Sequence, residues 1–164
     1  MIELLPFTNS DFTTFKSWIK NEKELYQFAG PIFNFPLTDT QLNSYLKRTD
    51  LIPYKVILKS TGKSIGHCEL NFENGNNRLS RILIGDESLR GQKIGKRIVI
   101  KMIELFFQDN TIKTIDLNVF DWNIAAIKCY ESVGFKINQA YKSQSKVDGK
   151  VWKKLNMYLD REEK

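Results

Sequence analysis

Apolar residues recur at Ile94, Ile98, Met102 and Phe106, with Val99 and Ile103 beside them. That spacing draws a single apolar stripe along a helix. Other stretches carry the same period in shorter form. Thr8-Asn9-Ser10-Asp11 has the spacing of a capping box, and Phe12, Phe15, Trp18 and Ile19 behind it share one helical face. Thr38-Asp39-Thr40-Gln41 repeats the signal ahead of Leu42, Tyr45 and Leu46. Asn123 caps a short helix predicted over Ile124 to Val133, which Gly134 closes. Leu25 to Pro36 holds Gly30-Pro31 and a second proline, and reads as a loop whose aromatics pack under the domain or line an entrance.

Alternating or continuously apolar runs predict strands at Ile2 to Phe7, Tyr54 to Lys59, Ser64 to Phe72, Arg78 to Ile84, Thr114 to Phe120, Phe135 to Tyr141 and Val151 to Leu159. Turns at Ser60-Thr61-Gly62-Lys63 and Asn74-Gly75 join the second, third and fourth of these, which should therefore pair antiparallel. The strand–helix–strand unit from Arg81 to Val119 implies a parallel pair with a right-handed crossover. Asp148-Gly149 turns between the last two strands, and residues 160–164 form a polar tail. The pattern is that of one mixed α+β domain over residues 1–164.

Composition narrows the function. A hydrophobic content of 41% with 12% aromatics fits a soluble globular protein. No apolar run approaches the ~18 residues of a membrane span. Met1 to Pro6 lacks the basic region and apolar core of a signal peptide. The two cysteines, Cys68 and Cys129, have no metal or redox spacing, so reduced thiols in a cytoplasmic protein and no bound metal are expected. A net charge of +6 suggests a polyanionic partner. The basic residues are scattered and no nucleic-acid reader motif is present, which disfavours RNA or DNA.

The charge is densest at Leu89-Arg90-Gly91-Gln92-Lys93-Ile94-Gly95-Lys96, between the strand ending at Ile84 and the long helix. Strand, glycine-bearing turn and helix N-terminus together hold phosphate, because free backbone N–H groups and the helix dipole converge on an anion. The dinucleotide and nucleoside-triphosphate fingerprints are both absent. The stretch resembles instead the acyl-coenzyme A loop of the GNAT superfamily of N-acetyltransferases, [QR]-x-x-G-x-[GA], with Arg90 first and Gly95 last. Lys93 stands where that family usually has its middle glycine. Asn123, Ala126, Tyr130, Gly134 and Phe135 fall in register with the family's second motif, N-x-x-A-x-x-x-Y-x-x-x-G-F. Pro6-Phe7-Thr8 followed by a helix with Trp18 is similar to the branch of ribosomal-protein N-terminal acetyltransferases.

The resemblance implies a central mixed, mostly antiparallel sheet of six to seven strands with helices on both faces, and transfer from acetyl-CoA to a primary amine without an acyl-enzyme. The acceptor would be a small amine, a polyamine or a protein N-terminus, and the protein a monomer or homodimer. The pantetheine arm would pair with Ile82, Leu83 and Ile84, and a backbone N–H at Leu83 or Ile84 would meet the developing oxyanion. The diphosphate would lie on Arg90, Gly91, Gln92, Lys93, Ile94, Gly95 and Lys96, with Asn118 and Asn123 as further contacts. Tyr130 would be the general acid toward the leaving thiolate. Glu69, sharing a strand face with His67, is the candidate base. A non-catalytic acyl-CoA-binding or sensing module on the same fold is the alternative.

Overall fold

A computed structural model describes residues 1–162. The elements run β1 (Ile2–Pro6), α1 (Phe12–Ser17), α2 (Glu22–Ala29), α3 (Asp39–Leu46), β2 (Leu51–Leu58), β3 (Lys63–Asn71), β4 (Arg78–Ile84), α4 (Ile94–Phe107), β5 (Thr114–Phe120), α5 (Ile124–Ser132), β6 (Lys136–Ile137), β7 (Ser143–Val147) and β8 (Lys150–Asp160). One eight-stranded sheet has the order β1-β2-β3-β4-β5-β8-β6, with β7 also paired to β8. Among the described residues every pairing is antiparallel except β4 with β5. Helices cover both faces, and the strand count exceeds the expected six or seven; of the seven strands predicted individually all are present, and the addition is the polar β7.

Two cores hold the sheet. The stripe of α4 (Ile94, Ile98, Met102, Phe106) is buried against Leu79, Leu117 and Met157. On the other face, α1, α2 and α3 close around Phe15, Leu25 and Leu42. Burying each of these side chains contributes about 1.5–3 kcal/mol by removing apolar surface from water.

The local differences from expectation have physical causes. Residues 22–29 are helical and not loop: the Asn21 side chain accepts from the Glu24 N–H at 2.9 Å, and Leu25 and Ala29 are buried one turn apart. Only after Ala29 does Gly30, at φ 63°, break the helix. In the α3 box, Thr38 accepts from the Gln41 N–H, but the Gln41 amide turns away to the backbone of Asn34 and Pro36. The strand expected over Phe135 to Tyr141 stops after Ile137, because the Asn138 side chain accepts from the Ala140 N–H and turns the chain. Residues 143–147 then form the unexpected β7 against β8. Arg161, expected in a polar tail, donates to the carbonyls of Phe107, Asp109 and Ile112 at the end of α4. The last two positions of that tail, 163 and 164, lie outside the described residues.

Candidate active site

The parallel pairing of β4 and β5 is confined to Arg78 with Asp116 and Leu79 with Leu117. Beyond those pairs the strands part. On the β3 side, His67 faces Leu83 and Glu69 faces Ser80, so Arg81 and Ile82 stand opposite the single residue Cys68. This is a β-bulge, and Arg81 takes φ 48° within it. Bulge and parting together open a cavity of about 1030 Å³.

One end of the cavity is the expected cradle. Ile82, Leu83 and Ile84 line it from β4, and Arg90, Gly91, Lys93, Ile94, Gly95 and Lys96 line it from the turn and α4. Gly91 has φ 77° and Lys93 φ 62°, so the lysine adopts the left-handed geometry in place of a glycine. Lys93 is also the N-cap of α4 and makes no side-chain cap, which leaves the first helical N–H groups free for an anion. Arg90 is turned toward β4, where its Nε and Nη2 donate to the Ile84 carbonyl at 3.3 and 3.1 Å. Gln92 lies outside the lining and donates to the Ser88 carbonyl at 2.8 Å. Asn118 and Asn123 both line the cavity. Asn123 caps α5 by accepting from the Ala126 N–H at 3.3 Å, and Asn118 accepts from Asn156 at 2.9 Å.

Tyr130 and Cys129 reach the cavity from α5. The Tyr130 ring packs edge-on against Phe135, with centroids 6.2 Å apart. Burial pushes its phenol above the usual range and keeps it protonated at neutral pH. Burial likewise raises the Cys129 thiol, so thiolate is scarce there.

Glu69 departs from its expected role. It is 0% exposed and does not line the cavity. One carboxylate oxygen pairs with Arg81 and the other accepts from the Tyr45 hydroxyl. With no free oxygen at the surface, it cannot take a proton directly from a bound amine. His67, 1% exposed, donates from Nδ1 to the Arg81 carbonyl at 2.8 Å, so its neutral ring presents Nε2 toward Tyr45. Desolvation lowers its pKa to about 4. The pair on this face of β3 thus grips Arg81 at both ends, carbonyl and guanidinium, and fixes the bulge.

Apart from Asn118 and Tyr26, the other end of the cavity holds residues that the sequence pattern did not single out. Its floor is polar: Asn71, Arg78, Ser80, Asn118 and Lys154. Arg78 forms a bidentate pair with Asp116, at 2.8 and 2.9 Å, and Asn156 donates to the same carboxylate. Tyr26 and Phe120 line this end and stack at 6.1 Å, while Trp152, outside the lining, packs edge-on to Phe120 at 4.9 Å. The available signal was the polar set on alternate positions of β5 and β8 (Asp116, Asn118; Lys154, Asn156), which reads as a solvated face until the parting of β4 and β5 is known.

Comparison with known proteins agrees with this architecture. Aminoglycoside N(6')-acetyltransferase type 1 of Klebsiella pneumoniae is 24% identical over 149 residues, with 82% of this chain and 74% of the relative covered. Among solved structures, aminoglycoside acetyltransferase AAC(6')-Ib in complex with coenzyme A superposes with a TM-score of 0.73 at 20% identity, covering 98% of this chain and 95% of that one. Spermidine N-acetyltransferase from Vibrio cholerae, in complex with CoA and spermine, gives a TM-score of 0.79 at 16% identity, covering 97% and 95%. Residues 16–135, from α1 through the second motif, match the acetyltransferase (GNAT) family as a whole, and the chain belongs to that family.

Proposed function

We propose that this protein transfers the acetyl group of acetyl-CoA directly to a primary amine. The observation that carries the reading is the parting of β4 from β5, which opens at the Gly91–Lys96 turn and has Tyr130 on its wall. Similar folds hold coenzyme A, which supports the same use of the cleft here.

The amide-rich pantetheine arm pairs with the backbone of Ile82 to Ile84 as an added strand would, apart from the Ile84 carbonyl, which Arg90 occupies. The diphosphate meets the N–H groups of Gly91 to Lys96 and the positive charge of Lys93 and Lys96. Held this way, the thioester carbonyl lies beside the Leu83 and Ile84 N–H groups. The amine nitrogen attacks the carbonyl carbon, a C–N bond forms, and the carbonyl electrons move onto oxygen, where a prealigned N–H donor stabilises them. The intermediate collapses, the C–S bond breaks, and the departing sulfur takes the Tyr130 proton. The amine's extra proton passes to water, since Glu69 is enclosed. Cys129, protonated, takes no part.

Acceptors under this reading include a small amine, a polyamine or the α-amine of a protein N-terminus. The Pro6-Phe7-Thr8 opening supports the last, and the aminoglycoside and spermidine enzymes of the same family support the first two. Initial rates of thiol release, with acetyl-CoA and amine varied together, test the proposal. Direct transfer requires intersecting double-reciprocal lines; parallel lines would establish an acyl-enzyme and remove it.

A further inference from the structure

We infer that Glu24 receives the acceptor's surplus proton, handed on by the water that first takes it from the amine. This rests on the transfer reading above and supplies the proton acceptor that Glu69, enclosed behind the bulge, cannot be.

Placement is the first ground. Trp18, at the end of α1, is seated so closely on Gly85 that a Cβ there would have no room. Lys20 Nζ pairs with Glu87 at 3.1 Å, just beyond β4. Further along, Tyr26 stacks on Phe120 at the end of β5. The segment is thus fastened to the end of β4 on one side and to the end of β5 on the other, and the first turn of α2 crosses the parting between those strands. Glu24 stands between the two fastenings and lines the cavity. The thioester carbonyl, held at the Leu83 and Ile84 N–H groups, adjoins the Gly85 seat on β4's side of the same parting.

Availability is the second. Among the described residues, Glu24 and Glu73 are the carboxylates of the lining. Glu73 pairs with Arg48 at 3.2 Å. Glu24 accepts from the Lys20 N–H at 2.9 Å through Oε2, while its Oε1 has no partner among the described residues. The neighbouring lysines are turned elsewhere, Lys20 to Glu87 and Lys23 to Asp148. Arg78, Arg81 and Lys154 from the sheet, Lys93 and Lys96 from the cradle and Lys128 from α5 bring positive charge to the cavity and no base. Burial holds Tyr130 and Cys129 protonated. An ammonium nitrogen has no lone pair with which to attack. One of its N–H bonds breaks, the electron pair stays on nitrogen, and a bridging water takes the proton while passing one of its own to Glu24 Oε1. The carboxyl group is partly exposed, so it releases that proton to solvent and is restored.

Glu24→Gln keeps the side-chain shape and the acceptor for the Lys20 N–H, and removes only the basicity. It is compared with wild type and Glu24→Asp by thiol release from acetyl-CoA across neutral to alkaline pH, with spermidine, kanamycin and a short peptide bearing a free N-terminus. Expected is a wild-type kcat/KM nearly level above neutrality. Glu24→Gln should lie about 100-fold lower near pH 7. Its deficit should close by about tenfold per pH unit toward the amine's own pKa, near 10 for an alkylamine and near 8 for the peptide. Glu24→Asp should keep the level profile at a reduced rate, and all three proteins should bind acetyl-CoA alike. A Glu24→Gln profile parallel to wild type at every pH would overturn the inference, since the residue would then only bind or pack. So would a wild-type rate that itself climbs with the fraction of free amine. Wild type that fails to bind acetyl-CoA in calorimetry, or releases no thiol with any of these amines, would instead strike the transfer reading.

Discussion

Gly66→Ala isolates the contribution of the β3–β4 junction. Gly66 lies opposite Ile84, and a Cβ built there would stand 2.4 Å from the Leu83 carbonyl oxygen. Ordinary contact begins at 3.4 Å, so the neighbour must retreat by about 1 Å (3.4 minus 2.4). It is sheet backbone and has no rotamer to change. Overpacking of this kind costs about 1–3 kcal/mol. For a chain of this size each kcal/mol lowers Tm by about 2–4 °C, so a fall of roughly 2–12 °C is expected. Catalysis should suffer more than stability. The displaced residue carries a proposed oxyanion donor, and a 1 Å misplacement at a reacting centre can cost about 100-fold in rate. Thermal melts, acetyl-CoA titration and thiol-release kinetics are read on the same preparation. The reasoning fails if Tm stays within about a degree of wild type and kcat is unchanged, since β4 would then have room that the geometry denies it.

Other perturbations probe separate parts of the site. Tyr130→Phe keeps the ring against Phe135 and removes only the proton, so kcat should drop by about 100-fold with acetyl-CoA affinity kept; equal loss of affinity would make the residue a packing element. Lys93→Gly relieves the left-handed strain of the turn and should raise stability by about 0.5–1 kcal/mol net of the glycine's unfolded-state entropy; a lower Tm would show that the strain is already relieved. His67, with a folded pKa of about 4, binds its proton more readily when unfolded, so its contribution is present above about pH 6.5 and is lost as pH falls toward 4. Between pH 7 and pH 5 wild type should lose about 2 kcal/mol more than His67→Asn, measured by denaturant unfolding. Glu69, raised by burial, works in the opposite direction but is present in both proteins, as are Tyr45, Arg81 and Asp11 around the ring.

Much of this was legible because local signals agreed with global ones. The α4 stripe and Gly134, which takes φ 103°, each had a single physical reading, and of the two given for Asn123 the helix cap is the local one. The α2 helix was obscured by Gly30-Pro31 just beyond it, although Asn21 and the Leu25/Ala29 pair were sufficient to find it. Strand β7 (Ser-Gln-Ser-Lys-Val) has one buried apolar residue, Val147, and no alternation could announce it. The bulge was illegible for another reason: arginine seldom adopts positive φ, and the Glu69 and His67 contacts that hold it there lie on another strand. Alternation placed those two side chains on one face of β3 correctly, but period carries no information about depth. A carboxylate that looked available for proton transfer from its period alone is a fixture of the backbone.

The narrow parallel seam between β4 and β5 has a mechanical consequence. Two residue pairs and the Arg78–Asp116 bridge are the sheet pairing that joins β1–β4 to β5–β8 among the described residues, while α4 spans the gap from one side. In the empty protein the amides bordering this seam should exchange with deuterium ahead of those in either half, since local opening begins where cross-links are fewest. A pantetheine arm seated between the strands would restore the interrupted ladder and make the halves exchange as one cooperative body. The co-substrate would then be a removable part of the sheet, and its departure after each turnover would return the fold to its hinged form.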